Sequence, residues 1–134
     1  MTPLVVDASV ALAWVFDDER SSQADGVLDA VIAEGALVPA LWHVEIANAL
    51  AAALRGGRIS AADRSQIIRD LSDLDIRTDV HVPMLERLCW AADTYRLTAY
   101  DASYLLLALD RGVALATADR ELRAAAKKAG VTLA

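Results

Sequence analysis

Four carboxylates occupy positions from which they could act on a common substrate. Asp7 follows the branched apolar run Leu4-Val5-Val6 directly. An acid at the end of a buried strand is either a loop cap or a site residue, and Ser9, two residues on, is either a helix cap or a ligand. Glu45 lies in a helical pattern with Asn48 at i+3 and Ala52 at i+7. The apolar stripe of that helix, Trp42, Ile46, Leu50 and Leu54, runs elsewhere. Glu45 and Asn48 therefore share a small polar face, which is either a solvated face or one open to close approach. Asp101 stands three residues after Thr98, the spacing of a capping box. Yet Leu105 and Ala108, at i+4 and i+7, fall on the stripe that must dock against a sheet. An ionised group heading such a row is costly to bury unless it is paired or bound to metal. Tyr100 and Tyr104 flank it and are read as packing residues. Asp119 closes Thr117-Ala118-Asp119 after another apolar run and suits a helix N-cap. The free N–H groups and positive dipole end of that helix would equally hold a phosphate or steady a carboxylate.

Several carboxylates cannot share a pocket ionised without compensating charge. Hard divalent cations supply it, and oxygen-only donors without Cys or His favour Mg²⁺ or Mn²⁺ over zinc. Such an ion keeps waters and binds phosphate, and one of those waters is a natural nucleophile.

The elements that must position these acids alternate along the chain. Strands are expected at Leu4-Val5-Val6, at Ala36-Leu37-Val38 closed by Pro39, at 75–78, at 113–116 and, briefly, at 131–133. Helices are expected at 10–16, from a Ser21 or Ser22 cap to Ala33, at 41–55 before Gly56-Gly57, and from Ser60 to about Leu74. Further helices are expected at 82–95 with Pro83 near its start, at 98–110 before Gly112, and at 119–129. Strands apolar throughout belong in a parallel sheet covered on both faces, and the alternation gives an α/β layered fold. In such folds the ligand crevice lies beyond the carboxyl ends of the strands. There is no repeat and no linker long enough to divide the chain, so residues 1–134 read as a single domain; the segment 55–60 is the expected hinge.

Composition narrows the classes. The chain of 134 residues carries 19 acids against 13 bases, with 56% apolar residues, largely from 28 alanines, and 5% aromatics. That is too apolar for disorder and too acidic for a protein that grips nucleic acid by a broad basic surface. One cysteine, Cys89, makes no internal disulfide and is expected as a buried thiol. The histidines, His43 and His81, share no ligand spacing. The longest apolar stretch, 46–54, is broken by Asn48 and falls short of the ~20 residues of a membrane span. With no basic start before Asp7, a soluble, cytoplasmic protein is expected.

Taken together, four blocks resemble PIN-domain ribonucleases, in particular the VapC-type toxins of bacterial toxin–antitoxin pairs. They are Val5-Val6-Asp7-Ala8-Ser9, Trp42-His43-Val44-Glu45-Ile46-Ala47-Asn48, Leu97-Thr98-Ala99-Tyr100-Asp101-Ala102-Ser103-Tyr104-Leu105 and Leu115-Ala116-Thr117-Ala118-Asp119-Arg120-Glu121-Leu122. Each block alone is weakly specific; in this order, over nearly the whole chain, they are strongly so. The resemblance implies a three-layer α/β/α sandwich with a short, mostly parallel central sheet. It implies a Mg²⁺-dependent endoribonuclease, with Mn²⁺ as an alternative ion, leaving a 3′-hydroxyl and a 5′-phosphate. Asp7, Glu45, Asp101 and Asp119 match the family's catalytic, metal-binding acids. Ser9 and Thr117 match its small hydroxyl positions, and Asn48 a polar position beside Glu45. A homodimer and a cognate antitoxin are implied as partners besides RNA, with Trp14-Val15-Phe16 and the helix from Trp42 as surfaces for them or as core.

Candidate basic contacts to RNA are Arg20, Arg55, Arg58, Arg96 and Arg120. Rival readings are a nuclease that processes cellular RNA without an antitoxin, a phosphoacceptor domain, and a non-catalytic metal-binding interaction module. Asp7 lacks the adjacent acid a receiver-like site wants, and Asp7-Ala8-Ser9 lacks the second acid of a dehalogenase-type phosphatase. Bound metal would reverse much of the local charge of the four acids. The acidic balance thus excludes tight metal-free RNA binding, not RNA as substrate.

Overall fold

The computed structural model describes residues 2–134. Its centre is a sheet of four short strands: β1 (Leu4–Val6), β2 (Ala36–Pro39), β3 (Ile76–Asp79) and β4 (Leu115–Ala116). Their order is β3-β2-β1-β4, and every pairing is parallel. Leu4 stands opposite Ala36, and Val5 and Val6 stand opposite Leu115 and Ala116. The expected third strand is displaced by one residue. The expected strand at 131–133 reduces to one parallel bridge, Leu115 to Leu133. β4 is only two residues long, so it offers little more than Leu115 to a further neighbour.

Alternation along these strands sorts the core into two layers. Val5, Leu37 and Leu115 face α3 (Leu41–Arg55), α6 (Ala99–Arg111) and α7 (Arg120–Ala129). Leu4, Val6, Ala36 and Ala116 meet α2 (Ser22–Glu34) and the Val10 and Ala13 face of α1 (Ala8–Val15). This is the three-layer α/β/α sandwich. α4 (Ala61–Ser72) buries no residue fully and lies outside, as does α5 (Leu85–Tyr95), which docks on α6 through Ala91.

Helix starts follow the sequence signals. Ser21 caps α2, Ser60 and Asp63 form a reciprocal capping box on α4, Thr98 caps α6 and Asp119 caps α7. Gly35 ends α2 at φ +85°, a conformation strained for any residue with a side chain, and a Cβ there would also push aside the Asp75 carboxylate, 2.8 Å away. Pro83 does not open α5, which begins two residues later behind Met84.

Cys89 is exposed, contrary to expectation. Only the Leu88, Ala91 and Tyr95 face of α5 meets α6, which turns Leu85, Cys89 and Trp90 outward.

Strand order decides where a site can form. From β1 the chain steps to β2 and β3 on one side, then returns to place β4 on the other. The direction of winding reverses between β1 and β4, so the crevice of this sheet lies outside their carboxyl ends. Asp7 and Thr117-Ala118-Asp119 are the residues that emerge there.

Candidate active site

Asp7 leaves β1 tied to β4, its N–H donating to the Ala116 carbonyl at 2.9 Å. Its side chain is buried, with the residue 5% exposed, so the carboxylate requires partners. It stands at the N-cap position of α1 yet makes no capping bond. Instead Ser9 Oγ and Thr117 Oγ1 both donate to Asp7 Oδ2, at 2.8 and 2.7 Å, and Oδ1 takes part in neither bond. These two donors replace the water that burial takes from that oxygen. Each hydroxyl also accepts a bond at the end of β4. Thr117 Oγ1 accepts from the Asp119 N–H at 3.0 Å, and Ser9 Oγ accepts from the Ala118 N–H at 3.3 Å. The ends of β1 and β4 are thereby braced together. Arg123, not singled out in the sequence, adds a bond from Nη1 to the Thr117 carbonyl at 3.1 Å.

Asp119 caps α7, Oδ2 accepting from the Leu122 N–H at 3.0 Å. Asp101 lies in the first turn of α6 and is half-buried. Thr98 Oγ1 accepts from its N–H at 3.1 Å, but no reciprocal bond from the Asp101 carboxylate completes a box, as it does between Asp63 and Ser60. The side chain of Asp101 is therefore not consumed by capping. Leu105 and Ala108 behind it are fully buried, as the stripe required.

Glu45 enters from α3. Its Oε1 accepts a 2.6 Å bond from the phenol of Tyr104, a residue of α6 with no exposed surface. Burial pushes the Glu45 carboxyl up, the Tyr104 bond draws it down, and the charge of Asp7 pushes it up again. Burial also pushes Asp101 up, and the charges of Asp119, Asp7 and Glu45 add to it, leaving its pKa at about 6. The charges of the other three acids thus all reach Asp101, and that of Asp7 reaches Glu45. Asn48 lies one turn beyond Glu45, exposed and bonded to none of the four.

Tyr104 was expected only to pack. It packs completely, but its hydroxyl reaches the acid cluster, and burial and Glu45 together push its ionisation far up. The signal was available: a tyrosine one turn after Asp101 on a buried face must find a partner for its O–H.

Two of the proposed RNA contacts are otherwise engaged. Arg20 pairs with Asp25 at 3.2 Å. Arg58 pairs with Asp18 and Glu19 and lies 3.9 Å over the Phe16 ring, fastening the loop after α1 to the loop after α3. Arg55, Arg96 and Arg120 are exposed, and none of the ion pairs among the described residues includes them. Trp14 sends its Nε1–H to the Ala24 carbonyl at 2.8 Å and Phe16 is buried, so that segment serves the interior.

A PIN-domain family model matches residues 4–128. The chain belongs to the PIN-domain family. Ribonuclease VapC9 of Mycobacterium tuberculosis is 36% identical over 119 residues, covering 89% of this chain and 87% of that protein. Ribonuclease VapC3 of Pyrobaculum aerophilum is 32% identical over 121 residues, 89% of this chain and 91% of that one. The crystal structure of PAE2754 from Pyrobaculum aerophilum matches with a TM-score of 0.72 at 29% identity, over 92% of this chain and 84% of its own. The PIN fold accounts for the parallel sheet and its two helical layers.

The acid cluster of this PIN domain can be weighed against a metal ion. Among the described residues, no three Asp, Glu, His or Cys side chains stand together in a geometry ready to hold one. Mg²⁺ asks for less: one or two carboxylates, several waters and the phosphate of the substrate. The donors are oxygen throughout, and the repulsion that lifts Asp101 is relieved by positive charge. The residues fit a hard divalent cation on those grounds. Among the described residues no helix is long and apolar enough to cross a membrane.

Proposed function

We propose that this chain is a VapC-type endoribonuclease, the toxin of a type II toxin–antitoxin pair, whose residues 1–134 act as one PIN domain in the cytoplasm. Asp7, Glu45, Asp101 and Asp119 are its catalytic acids. The observation that carries this reading is their convergence at the carboxyl ends of β1 and β4 in a chain of this family.

The chain's own residues divide the work. Asp7, fixed through Oδ2 by Ser9 and Thr117, is the most firmly placed of the four. Asp101 and Glu45 approach from the helical layer formed by α3, α6 and α7, and Asp119 from the start of α7. Asn48 extends the Glu45 face of α3 toward solvent, where an RNA strand would pass. One or two of these four acids would hold Mg²⁺, or Mn²⁺ in its place, directly and the others through water; the bound ion would neutralise the scissile phosphate and lower the pKa of a water. The net reaction adds that water across the phosphodiester bond. Its hydroxyl goes to phosphorus and its proton to the departing 3′-oxygen, leaving a 5′-phosphate and a 3′-hydroxyl. Asp7 and Asp101, as carboxylates, supply the negative field in which the cation is retained. Arg55, Arg96 and Arg120 supply positive charge for the rest of the strand.

A second copy of the chain and a basic antitoxin segment complete the set of partners. The acidic surplus, a formal net charge of −6, favours the antitoxin.

Controlled expression of the wild type and of Asp7→Asn, followed by mapping of new RNA 5′ ends, tests the reading. Arrested growth and new ends are expected with the wild type and neither with the variant. Unchanged growth without new ends would refute the toxin assignment, and an active Asp7→Asn would refute the site.

A further inference from the structure

We infer that Tyr104 is a positioning residue: its buried hydroxyl fixes one oxygen of Glu45 and thereby sets how the acids of α3 and α6 face a cation. The inference rests on the metal-dependent reading of the site and extends it to a residue outside the four acids.

The geometry is specific. Tyr104 follows Asp101 by three residues, so the two side chains lie on one face of α6, one turn apart. The ring is wholly enclosed among core residues of α3, α6 and the sheet, which removes its freedom to swing away. Its O–H donates to Glu45 Oε1 at 2.6 Å, the short distance of a hydrogen bond to a charged acceptor. Among the described residues it is the one side-chain hydrogen bond that joins α3 to α6. Glu45 has no other such bond. The contact therefore performs two tasks. It engages Oε1, so that Oε2 is the oxygen left for a cation. It also ties the placement of Glu45 to the helix that carries Asp101, so the two acids move as a pair.

A phenol is suited to this task where a serine would not be. The donor must span the layer between two helices while covering apolar surface on the way, and a tyrosine does both with only two side-chain torsions. Partners that orient a metal ligand from behind commonly contribute 10–100-fold to affinity or rate. A phenylalanine fills the same volume, so the packing of the ring does not require the hydroxyl, which besides Glu45 also meets the Ala8 backbone at the start of α1.

The test is a double-mutant cycle on Tyr104→Phe and Glu45→Ala. Mn²⁺ binding to the purified protein is measured by calorimetry, cleavage of total cellular RNA is followed alongside, and thermal midpoints are recorded for all four proteins. Tyr104→Phe is expected to weaken Mn²⁺ binding about tenfold and to slow cleavage. The same substitution made on top of Glu45→Ala is expected to change Mn²⁺ affinity less than twofold. An equal loss in both backgrounds would make Tyr104 a purely structural residue and overturn the inference. So would an unchanged Mn²⁺ affinity in Tyr104→Phe. If the wild type binds no Mn²⁺ at all, or if Asp7→Asn still cuts RNA, the reading of the site fails first and takes this inference with it. A silent Tyr104→Phe beside an inactive Asp7→Asn defeats the inference alone.

Discussion

Thr117 donates its hydroxyl to the buried carboxylate of Asp7 at 2.7 Å across 110 residues of sequence. The bond does more than satisfy one acid. Because Thr117 also accepts from the Asp119 N–H, a single hydroxyl places two carboxylates of the candidate site relative to each other. Thr117→Val preserves shape and removes both bonds. A buried hydrogen bond to a charged group contributes about 1.5–3 kcal/mol, and the variant is expected to lose stability of that order in chemical denaturation. Ser9→Ala, at a half-buried position, should lose less. A Thr117→Val protein as stable as the wild type and equally active would show that the brace is dispensable.

Asp7→Asn and Asp101→Asn should each abolish RNA cleavage while leaving the far-ultraviolet circular dichroism unchanged. Both replacements keep volume and remove charge, so the sheet and α6 have no reason to rearrange. Wild-type rates in both variants would place the chemistry elsewhere.

The pH dependence of the metal-free protein has a definite sign. Asp101 titrates near 6 in the folded chain against 3.8 ordinarily, because it is buried and faces the charges of Asp119, Asp7 and Glu45. Between those values the native state retains a proton that the unfolded chain has released. Its contribution to stability is complete below about 3.8 and is lost as pH rises through about 6. The thermal midpoint of the wild type minus that of Asp101→Asn should therefore fall across this window. Adding Mg²⁺ at pH 7 should raise the wild-type midpoint in proportion to the logarithm of its concentration. A difference curve that is flat or rises with pH would show that Asp101 is not held in this way.

Charge contacts to RNA can be sorted by salt. Each phosphate contact to a single strand adds about 0.7 to the slope of log affinity against log salt. Arg120→Ala should lower that slope by about this amount with catalytically inactive Asp7→Asn protein and an RNA oligonucleotide. Arg58→Ala should leave the slope unchanged and instead lower stability, since Arg58 is committed to Asp18, Glu19 and the face of Phe16. The opposite pattern would exchange their roles.

Much of this architecture is legible from local signals. Uninterrupted branched runs mark strands covered on both faces, and Ser21, Ser60, Thr98 and Asp119 cap the helices they precede. Asp101 could be singled out because Leu105 and Ala108 fix the direction of its helix face. What a local pattern does not carry is which helix lies in the outer layer. The apolar run around Cys89 has the composition of a core helix, yet α5 has only α6 to lean on, and Leu85 and Trp90 remain exposed. Nor does spacing show that Arg58 meets partners some forty residues earlier, or that the hydroxyl of Tyr104 crosses to α3. Those are consequences of how layers stack, and they involve residues distant in sequence.

The brace between β1 and β4 also joins residues made far apart in time during synthesis. Asp7 is made early, but its second hydroxyl donor follows 110 residues later, with Asp119 beyond it. At about 5–20 residues per second, the ribosome takes roughly 6–22 s to cover that interval. A nascent chain in that interval carries Asp7 without its Thr117 donor and without Asp119, so the proposed centre would not yet exist. With Asp7 and Asp119 as the proposed catalytic acids, the parallel pairing of β4 with β1 would act as a timer as well as a joint, completing the centre only after nearly the whole chain is made.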